Sequence, residues 1–311
     1  MSTQLHITNG DFLTQRLNSL DLKGEMITWR EMLCEGKTLT EVGSESFWKT
    51  RFEFLNKHYK ISKSRFIEQT LKEYRSLCNH KQQDQITLWF DYDLFCQINM
   101  LAIISWLKSY RRHAEISLVS SGSYVPGEEA PKSLSEMDNT ELLGIYGKRI
   151  KLSQDDIEYA DYIWQLYCSN NPIRLENVGD FQNYQFDNLA NAIAAHLKRF
   201  PSIHNGLNEV ENQVLRVAME KHPDSKKELL SLILKNQGIY GFGDTQYDRV
   251  ITKIKPLFSS FSPVKLSPSG LGIFKGKTNY YSAIRENDEY LGGALKYNFL
   301  YNSSTDRILK L

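Results

Sequence analysis

The stretch that decides the fold is QITLWFDYDLFCQINMLAIISWL, Gln85 to Leu107. Its first part, ITLWF, is a continuous apolar run of strand length, whereas LFCQINMLAIISWL has the length of a helix and few β-branched residues. Asp91 and Asp93 separate the two parts. The aspartates therefore mark the carboxyl end of a buried strand, at the point where the chain enters a helix.

Similar strand and helix patterns lie on both sides of this stretch. LHIT (5–8) and EMITW (25–29) are short apolar runs, each followed by segments with helical spacing. A fourth strand pattern, EISLVSS (115–121), precedes the Gly- and Pro-rich segment GSYVPGEEAPKS. This alternation predicts an α/β domain over residues 1–125, built on a small, mostly parallel, doubly wound sheet.

The rest of the chain has a different order of predicted helices and strands. Residues 126–206 are mainly helical in pattern and are interpreted as a helical connector. In residues 207–311, three helical segments precede PVKLSPSGLGIFKG, which is interpreted as a strand, a turn and a second strand. This order predicts a winged-helix-like region, and the tail adds a hairpin around Asn302 to Asp306.

Composition narrows the class of protein. The 311 residues carry 38 Lys and Arg against 37 Asp and Glu, a net charge of +1 that gives no global attraction to nucleic acid or to an anionic membrane. No signal-peptide pattern and no membrane-spanning apolar run occurs, so we expect a cytoplasmic protein without a membrane partner. The four cysteines form no CxxC pair, and dinucleotide, P-loop, nucleophile-elbow and zinc-protease motifs are absent.

Polar residues follow the predicted strands at their carboxyl ends, which is where ligands bind in open parallel sheets. The candidate ligand-binding residues are Asn9, Gly10, Asp11, Arg30, Glu31, Arg51, Asp91, Asp93 and Gln97.

Three interpretations of this set remain open. Asp11, Asp91 and Asp93 could hold Mg²⁺ for a phosphoesterase or nucleotidyl transferase, with Arg30 on a phosphate. Alternatively, helix N-termini with Arg30 or Arg51 could receive an anionic small molecule. In the purely structural interpretation, Asp11 and Asp93 are helix N-caps and Asp91 pairs with Arg30. No metal ligand is assigned from the pattern, and the cofactor stays unknown, with Mg²⁺ tied to the enzymatic interpretation.

The C-terminal region suggests a second kind of surface. Residues 207–277 contain eleven basic against seven acidic residues. Gln246, Arg249 and Lys253 have the spacing of one helix face, and Lys275 and Lys277 are placed at the wing. These five residues are candidates for contact with DNA or RNA. A protein interface is the alternative, because winged helices also serve in that way.

Several motifs resemble bacterial proteins catalogued as domain of unknown function 1835. They are LHITNGD, ITWREMLCEG, SFWKTRFEFL and LWFDYDLFCQINML, while AIAAHLKRFPSIHNGLNEVENQVL, FGDTQYDRVITKI and YLGGA are similar to the C-terminal half often found with that domain. Lys37 stands where the family typically has proline, and Cys96-Gln97 stands for its Asp-Gln pair. The resemblance implies that the candidate ligand-binding residues form a common site, and it implies no reaction, cofactor or partner.

Two different surfaces suggest one hypothesis for the whole chain. We expect a non-enzymatic protein that senses an anionic small molecule in the crevice at the strand ends. Binding of this molecule would be signalled to a nucleic-acid or protein partner, which the C-terminal region would contact. The Mg²⁺-dependent enzyme is the alternative.

Overall fold

The computed structural model describes residues 4–180 and 185–311. Twelve strands are found in this part of the chain. They are β1 (Gln4–Asn9), β2 (Glu25–Trp29), β3 (Gly36–Lys37), β4 (Gln85–Trp89), β5 (Glu115–Val119), β6 (Ile150–Lys151), β7 (Phe258–Phe261), β8 (Val264–Leu266), β9 (Tyr290–Gly292), β10 (Ala294–Leu295), β11 (Phe299–Asn302) and β12 (Arg307–Lys310).

Helices connect and flank the strands. The α-helices are α1 (Asp11–Asn18), α2 (Glu45–Tyr59), α3 (Lys63–Phe66), α4 (Lys72–Asn79), α5 (Leu94–Tyr110), α6 (Asn139–Gly147), α7 (Gln154–Tyr167), α8 (Leu189–Leu197), α9 (Glu209–Lys221), α10 (Lys226–Lys235), α11 (Asp244–Lys253), α12 (Pro268–Phe274) and α13 (Tyr281–Ile284). A π-helical turn over Ile67–Leu71 joins α3 to α4, and a 3₁₀ segment covers Pro172–Asp180.

The central sheet has the order β2-β1-β4-β5-β6. The first four of these strands are parallel, and β6 is antiparallel to β5. The chain leaves β1 toward β2 on one side and later adds β4 and β5 on the other, as in doubly wound folds. The predicted α/β fold with a mostly parallel sheet is confirmed, and the antiparallel strand β6 was missed because it has only two residues.

Alternating residues of the strands face two different layers. Ile86 and Leu88 of β4 belong to the larger core under α5, whereas Trp89 packs with residues of α1 and α6 on the opposite face. Helix α5 lies between the sheet and the pair α7 and α8, and 13 of its 17 residues are buried. The apolar sequence around Asp91 and Asp93 therefore reflects a helix that is covered on nearly every side.

The C-terminal region has the predicted winged-helix order, but its hairpin lies elsewhere. Helices α9 to α11 precede the antiparallel pair β7 and β8, which turns at Ser262 and Pro263. The segment after β8 is the helix α12, because the Ser267 side chain caps it and Pro268 occupies its first turn. The predicted second strand there is wrong, while the tail hairpin of β11 and β12 is confirmed.

Two strand pairings cross the domain boundaries that the sequence predicts. Strand β3 pairs with β9 in parallel, although about 250 residues separate them, and β6 of the predicted connector belongs to the central sheet. The domain boundaries proposed from the sequence stay a prediction. Residues 181–184, the end of the predicted break after α7, lie outside the described residues. Among the described helices, none is both long and apolar enough to cross a membrane.

Candidate functional site

The carboxyl ends of β1, β2, β4 and β5 lie along one edge of the sheet, because these strands are parallel. The topological switch point lies between β1 and β4, where Asn9 ends one strand and Asp91 and Asp93 follow the other. The structure divides the candidate ligand-binding residues at this edge into three separate groups.

The first group surrounds the start of α5. The Asp93 carboxylate accepts a hydrogen bond of 2.8 Å from the Cys96 backbone N–H and is the N-cap of the helix, as the structural interpretation predicted. Asp91 accepts a hydrogen bond from the Leu134 backbone N–H at 2.9 Å, and Asn9 donates to Cys96 Sγ at 3.0 Å. One carboxylate oxygen of each aspartate and Cys96 Sγ lie within 4.8 Å of one another.

Burial dominates the electrostatics of this group. It raises the pKa of Asp91 to about 6. Burial, together with the nearby charge of Asp91, raises the pKa of Asp93 to about 7. The Cys96 thiol has a pKa well above its usual value for the same reasons, burial first and then the two aspartates. The group therefore favours protonated side chains or a bound cation over two unpaired negative charges.

The composition of this group decides which metal it could hold. Thiolate ligands suit Zn²⁺ and similar transition metals, whereas Mg²⁺ takes oxygen ligands. Asp11 is not part of the group, because its carboxylate pairs with Arg30 at 2.7 Å. The three aspartates of the enzymatic interpretation thus do not converge on one point within the described residues.

The second group is this surface ion pair. Arg30 also pairs with Glu73 at 3.2 Å and donates to the Gln69 carbonyl oxygen. Asp11 is the first residue of α1, whose N-cap is Gly10 at φ +98° without a side-chain hydrogen bond. The predictions that Asp11 caps the helix and that Asp91 pairs with Arg30 are wrong, because Arg30 and Asp11 pair with each other instead.

The third group is buried, and it forms hydrogen bonds to the backbone of the loop after β2. Arg51 and Glu31 form an ion pair of 2.9 Å in which both side chains are fully buried. The Arg51 guanidinium also donates to the carbonyl oxygens of Met32, Glu35 and Lys37. Its donors are engaged in shaping the loop after β2, so the structure places Arg51 in a supporting position and not at a ligand.

Gln97, the last of the candidate ligand-binding residues, lies next to the first group. Its Nε2 donates to the Asp91 carbonyl oxygen at 2.8 Å, and its Oε1 has no hydrogen-bond partner among the described residues. The side chain is 2% exposed and lines a pocket at the end of β5.

The proposed nucleic-acid face of α11 points inward. Gln246 is buried, and its Oε1 accepts a hydrogen bond from the Gly243 N–H. Arg249 pairs with Glu35 at 3.1 Å, and Lys253 pairs with Glu211 at 3.1 Å and with Glu289 at 2.9 Å. The three residues share a face as predicted, but that face is covered by the rest of the chain and is closed to a nucleic-acid duplex.

The two remaining candidates for nucleic-acid contact lie outside the hairpin. Lys275 and Lys277 follow α12, and both are exposed. Their predicted position at the wing is wrong, because the hairpin ends at Leu266.

The inward face of α11 borders a cavity of about 380 Å³. Helix α2 and strand β3 line it from the N-terminal domain, and α9, α11 and β9 line it from the C-terminal region. We call it the interdomain cavity. Its charged lining residues Arg199, Glu211, Glu289 and Lys296 were missed from the sequence. The first two lie within the motif AIAAHLKRFPSIHNGLNEVENQVL, but their spacing indicates no site.

Acidic and basic side chains are matched along most of this cavity. Lys296 lies 3.7 Å from Glu211 and 3.4 Å from Glu289, but both acids are closer to Lys253. Burial, followed by the neighbouring Lys253 ammonium, lowers the pKa of Lys296 to about 8. Although burial acts to raise it, the pKa of Glu289 is well below its usual range because of the two lysines.

Arg199 is the one buried charged side chain of this lining that forms no ion pair among the described residues. The other unpaired charges of the lining are exposed, and they are Lys37, Glu53, Lys57 and Asp288. The Arg199 side chain is 5% exposed, its Nη1 donates to the Cys34 carbonyl oxygen at 2.5 Å, and its guanidinium lies 5.2 Å from the centre of the Phe242 ring. No carboxylate within the described ranges forms an ion pair with it. A buried guanidinium group beside a cavity, without an acid, is chemically suited to bind an anion.

Fold and site together define a doubly wound α/β protein with a winged-helix-like C-terminal region and a charged cavity between them. No protein-family model matches the chain, and no curated protein matches it. One solved structure similar to it is the DNA-binding, cleavage and re-ligation domain of Plasmodium falciparum topoisomerase II, with a TM-score of 0.47 and 12% sequence identity. The match covers 84% of this chain and 42% of the other.

Proposed function

We propose that this protein is a non-enzymatic binding protein for a small anionic molecule, which it holds in the interdomain cavity. The observation that carries the proposal is the buried Arg199, which lines the cavity and has no acidic partner among the described residues. Guanidinium groups bind carboxylate and phosphate groups with two parallel hydrogen bonds. An anion in the cavity would supply the charge that the protein itself does not provide.

The place of the cavity supports a sensing role. Arg249 and Glu35 bridge the two halves of the chain across it. A ligand that contacts both walls stabilises the arrangement in which the walls are held together, and it shifts the population toward that arrangement. This is the anionic-ligand sensor expected from the sequence, with its binding site moved from the sheet edge to the interface of the two regions.

Transmission to a partner is the second part of the proposal. The outer surface of the C-terminal region carries the exposed Lys275 and Lys277, whereas Arg249 and Lys253 are engaged inside. Exposed lysines can bind nucleic-acid phosphates or an acidic protein surface. We also propose membership of the family catalogued as domain of unknown function 1835, which rests on the motifs alone.

A thermal-shift screen of the full chain tests the ligand class. Phosphorylated and carboxylated metabolites form one set, and amines and neutral sugars form the control set. Anions at a hundred times their Kd are expected to add about 2.7 kcal/mol to the free energy of unfolding. Stabilisation by the control set alone, or by no compound, would overturn the proposal.

Electrophoretic mobility shifts with duplex DNA and RNA test the partner class. Binding is expected to weaken with added salt and in the double variant Lys275→Ala, Lys277→Ala, because these lysines are exposed. Arg216→Met is the matched control, since Arg216 pairs with Glu209 and does not line the interdomain cavity. The second part of the proposal fails if the full chain binds neither nucleic acid nor, in pull-down experiments, a protein.

A further inference from the structure

A separate pocket of about 250 Å³ lies at the carboxyl end of β5. We call it the β5 pocket. It is lined by the loop Ser120–Ser123, by Gln97 on α5, and by the turn between α6 and β6. It shares no lining residue with the interdomain cavity, so its contents are independent of the proposed function.

Three buried side-chain atoms of this pocket, Gln97 Oε1, Ser120 Oγ and Ser121 Oγ, have no partner at hydrogen-bonding distance and angle among the described residues. Although burial raises the pKa of Asp91, Ser121 is close enough to that carboxyl group to act in the opposite direction, so the other two atoms remain for a ligand. The Gln97 Nε2 donates to the Asp91 carbonyl oxygen, which fixes the amide so that Oε1 is the group left over. This oxygen and Ser120 Oγ have no hydrogen-bond partner among the described residues. Because buried polar groups in folded proteins are normally hydrogen-bonded, the two atoms indicate a ligand that donates at least one N–H or O–H group.

The mouth of the β5 pocket is basic. Lys148 and Arg149 line it and are exposed, and neither forms an ion pair in the part of the chain that the structure describes. Arg149 lies over the Tyr146 ring at 4.6 Å, which orients its guanidinium. The acid at the mouth, Asp187, accepts a hydrogen bond from Ser123 at 3.0 Å. Two cations therefore face a ligand from the outside.

Apolar side chains form the remaining wall. Val119, Ile145 and Phe186 are among the residues that line the pocket. An anion alone would leave the inner Gln97 Oε1 unsatisfied, because both are acceptors. A cation alone would be repelled by Lys148 and Arg149.

We propose that the β5 pocket binds a free α-amino acid, with its ammonium group on Gln97 Oε1 and Ser120 Oγ and its carboxylate toward Lys148 and Arg149. The three features of the pocket match the three parts of such a molecule: an acceptor inside for the ammonium group, cations outside for the carboxylate, and an apolar wall for the side chain. The volume suits a ligand smaller than the drug-sized molecules that fill larger protein pockets.

Isothermal titration of the full chain with each of the twenty amino acids tests this inference. At least one apolar amino acid is expected to bind, with affinity at least about tenfold weaker in Lys148→Met and in Ser120→Ala. Ser120→Ala is also expected to unfold at no lower a temperature than the wild type without ligand, because the hydroxyl has no partner to lose. Lys151→Met is the control, since Lys151 pairs with Glu115 and does not line the pocket.

Three outcomes would overturn the inference. They are the absence of binding by any amino acid, equal affinity in the wild type and both pocket variants, and tighter binding of inorganic phosphate or adenosine monophosphate at the same residues. Arg199→Met is expected to bind the amino acid as the wild type does, so failure here and failure of the proposed function give different results.

Discussion

Buried charges in this molecule have two different roles, and Glu31 illustrates the first. Its pair with Arg51 is fully buried, and Arg51 in turn holds three carbonyl oxygens of the loop after β2. Burial raises the pKa of Glu31, with Arg51 acting in the opposite direction. The pair positions one wall of the interdomain cavity, since Glu35 and Lys37 of that loop line it.

Glu31→Ala is expected to lower the free energy of unfolding by about 3 to 5 kcal/mol, because it leaves the Arg51 charge buried without a partner. Glu158→Ala is the matched control, since its carboxylate is half exposed and Lys108 keeps Asp161 as a second partner. We expect the control to lower stability far less, because solvent screens the exposed pair of Glu158 with Lys108. Urea unfolding followed by circular dichroism measures both, and equal losses would contradict this role of the pair.

Asp93 illustrates a charge that destabilises the fold. Its pKa is raised to about 7 by burial and by Asp91, so the native state holds a proton that the unfolded chain releases near pH 4. The contribution of Asp93 to the free energy of unfolding is therefore expected to fall as the pH rises from about 4 to 7, and to stay constant above pH 7. The sign is opposite to that of a carboxylate in an ion pair.

Asp93→Asn tests this pH dependence. Asparagine is also a good N-cap, so the start of α5 is retained while the ionisation is removed. At pH 8 the variant is expected to be more stable than the wild type by at least about 1.4 kcal/mol, the free energy of one pKa unit. The difference should disappear at pH 4 in urea unfolding, and a difference between variant and wild type that is the same at pH 4 and pH 8 would contradict the raised pKa.

At the scale of elements, a glycine turn links the C-terminal region to the start of α5. Gly241 has φ +67°, and a Cβ atom there would lie 2.2 Å from Asp93 Cγ. The turn before α11 thus closes directly over the helix N-cap. Only glycine satisfies both the left-handed backbone and the close approach.

Gly241→Ala is expected to destabilise the protein more than Gly127→Ala does. Gly127 also has a positive φ, of +89°, but a Cβ atom added there would meet no other atom within 4 Å, so this variant reports the backbone strain alone. The displacement of Asp93 should add about 1 to 3 kcal/mol to that strain. Thermal and urea unfolding measure the difference, and equal effects would mean that the turn moves away at no cost.

The predictable part of the fold rests on strong local patterns. Strands β1, β2, β4 and β5 were found because each is a short apolar run next to a helical pattern, and Asp93 was correctly interpreted as a cap. Strand β3 could not be found, because its two residues pair with β9 at the far end of the chain. The segment after β8 was misassigned, since the Ser-Pro pair that starts α12 is also typical of turns.

The sequence predicted which residues belong together on one element better than it predicted which side chains contact one another. Spacing showed that Gln246, Arg249 and Lys253 share a helix face, but periodicity does not say what covers that face. Arg30 and Asp11 pair across neighbouring strand ends, which an unaligned sequence cannot reveal. Arg199 lies within a motif of the family resemblance, but its burial could not be predicted, because a buried unpaired arginine and a solvated one are identical in sequence.

At the scale of the whole molecule, the cavity between the two regions is the feature on which the proposed function depends. The N-terminal domain contributes the loop held by Arg51, and the C-terminal region contributes α9 and α11. Their buried facing charges have partners of opposite charge among the described residues, except for Arg199. An anion bound there would contact both regions, and it would link them without a further contact between their own side chains.

The most direct measurement is isothermal titration of the wild type and Arg199→Met with the anion that gives the largest thermal shift. Methionine keeps an apolar side chain of comparable length over Phe242 and removes the guanidinium. Arg216→Met serves as the control, because Arg216 is half exposed and pairs with Glu209. We predict that Arg199→Met binds at least about tenfold more weakly, a loss of about 1.4 kcal/mol, while the control binds like the wild type. Equal affinity in all three proteins would contradict the proposed anion site.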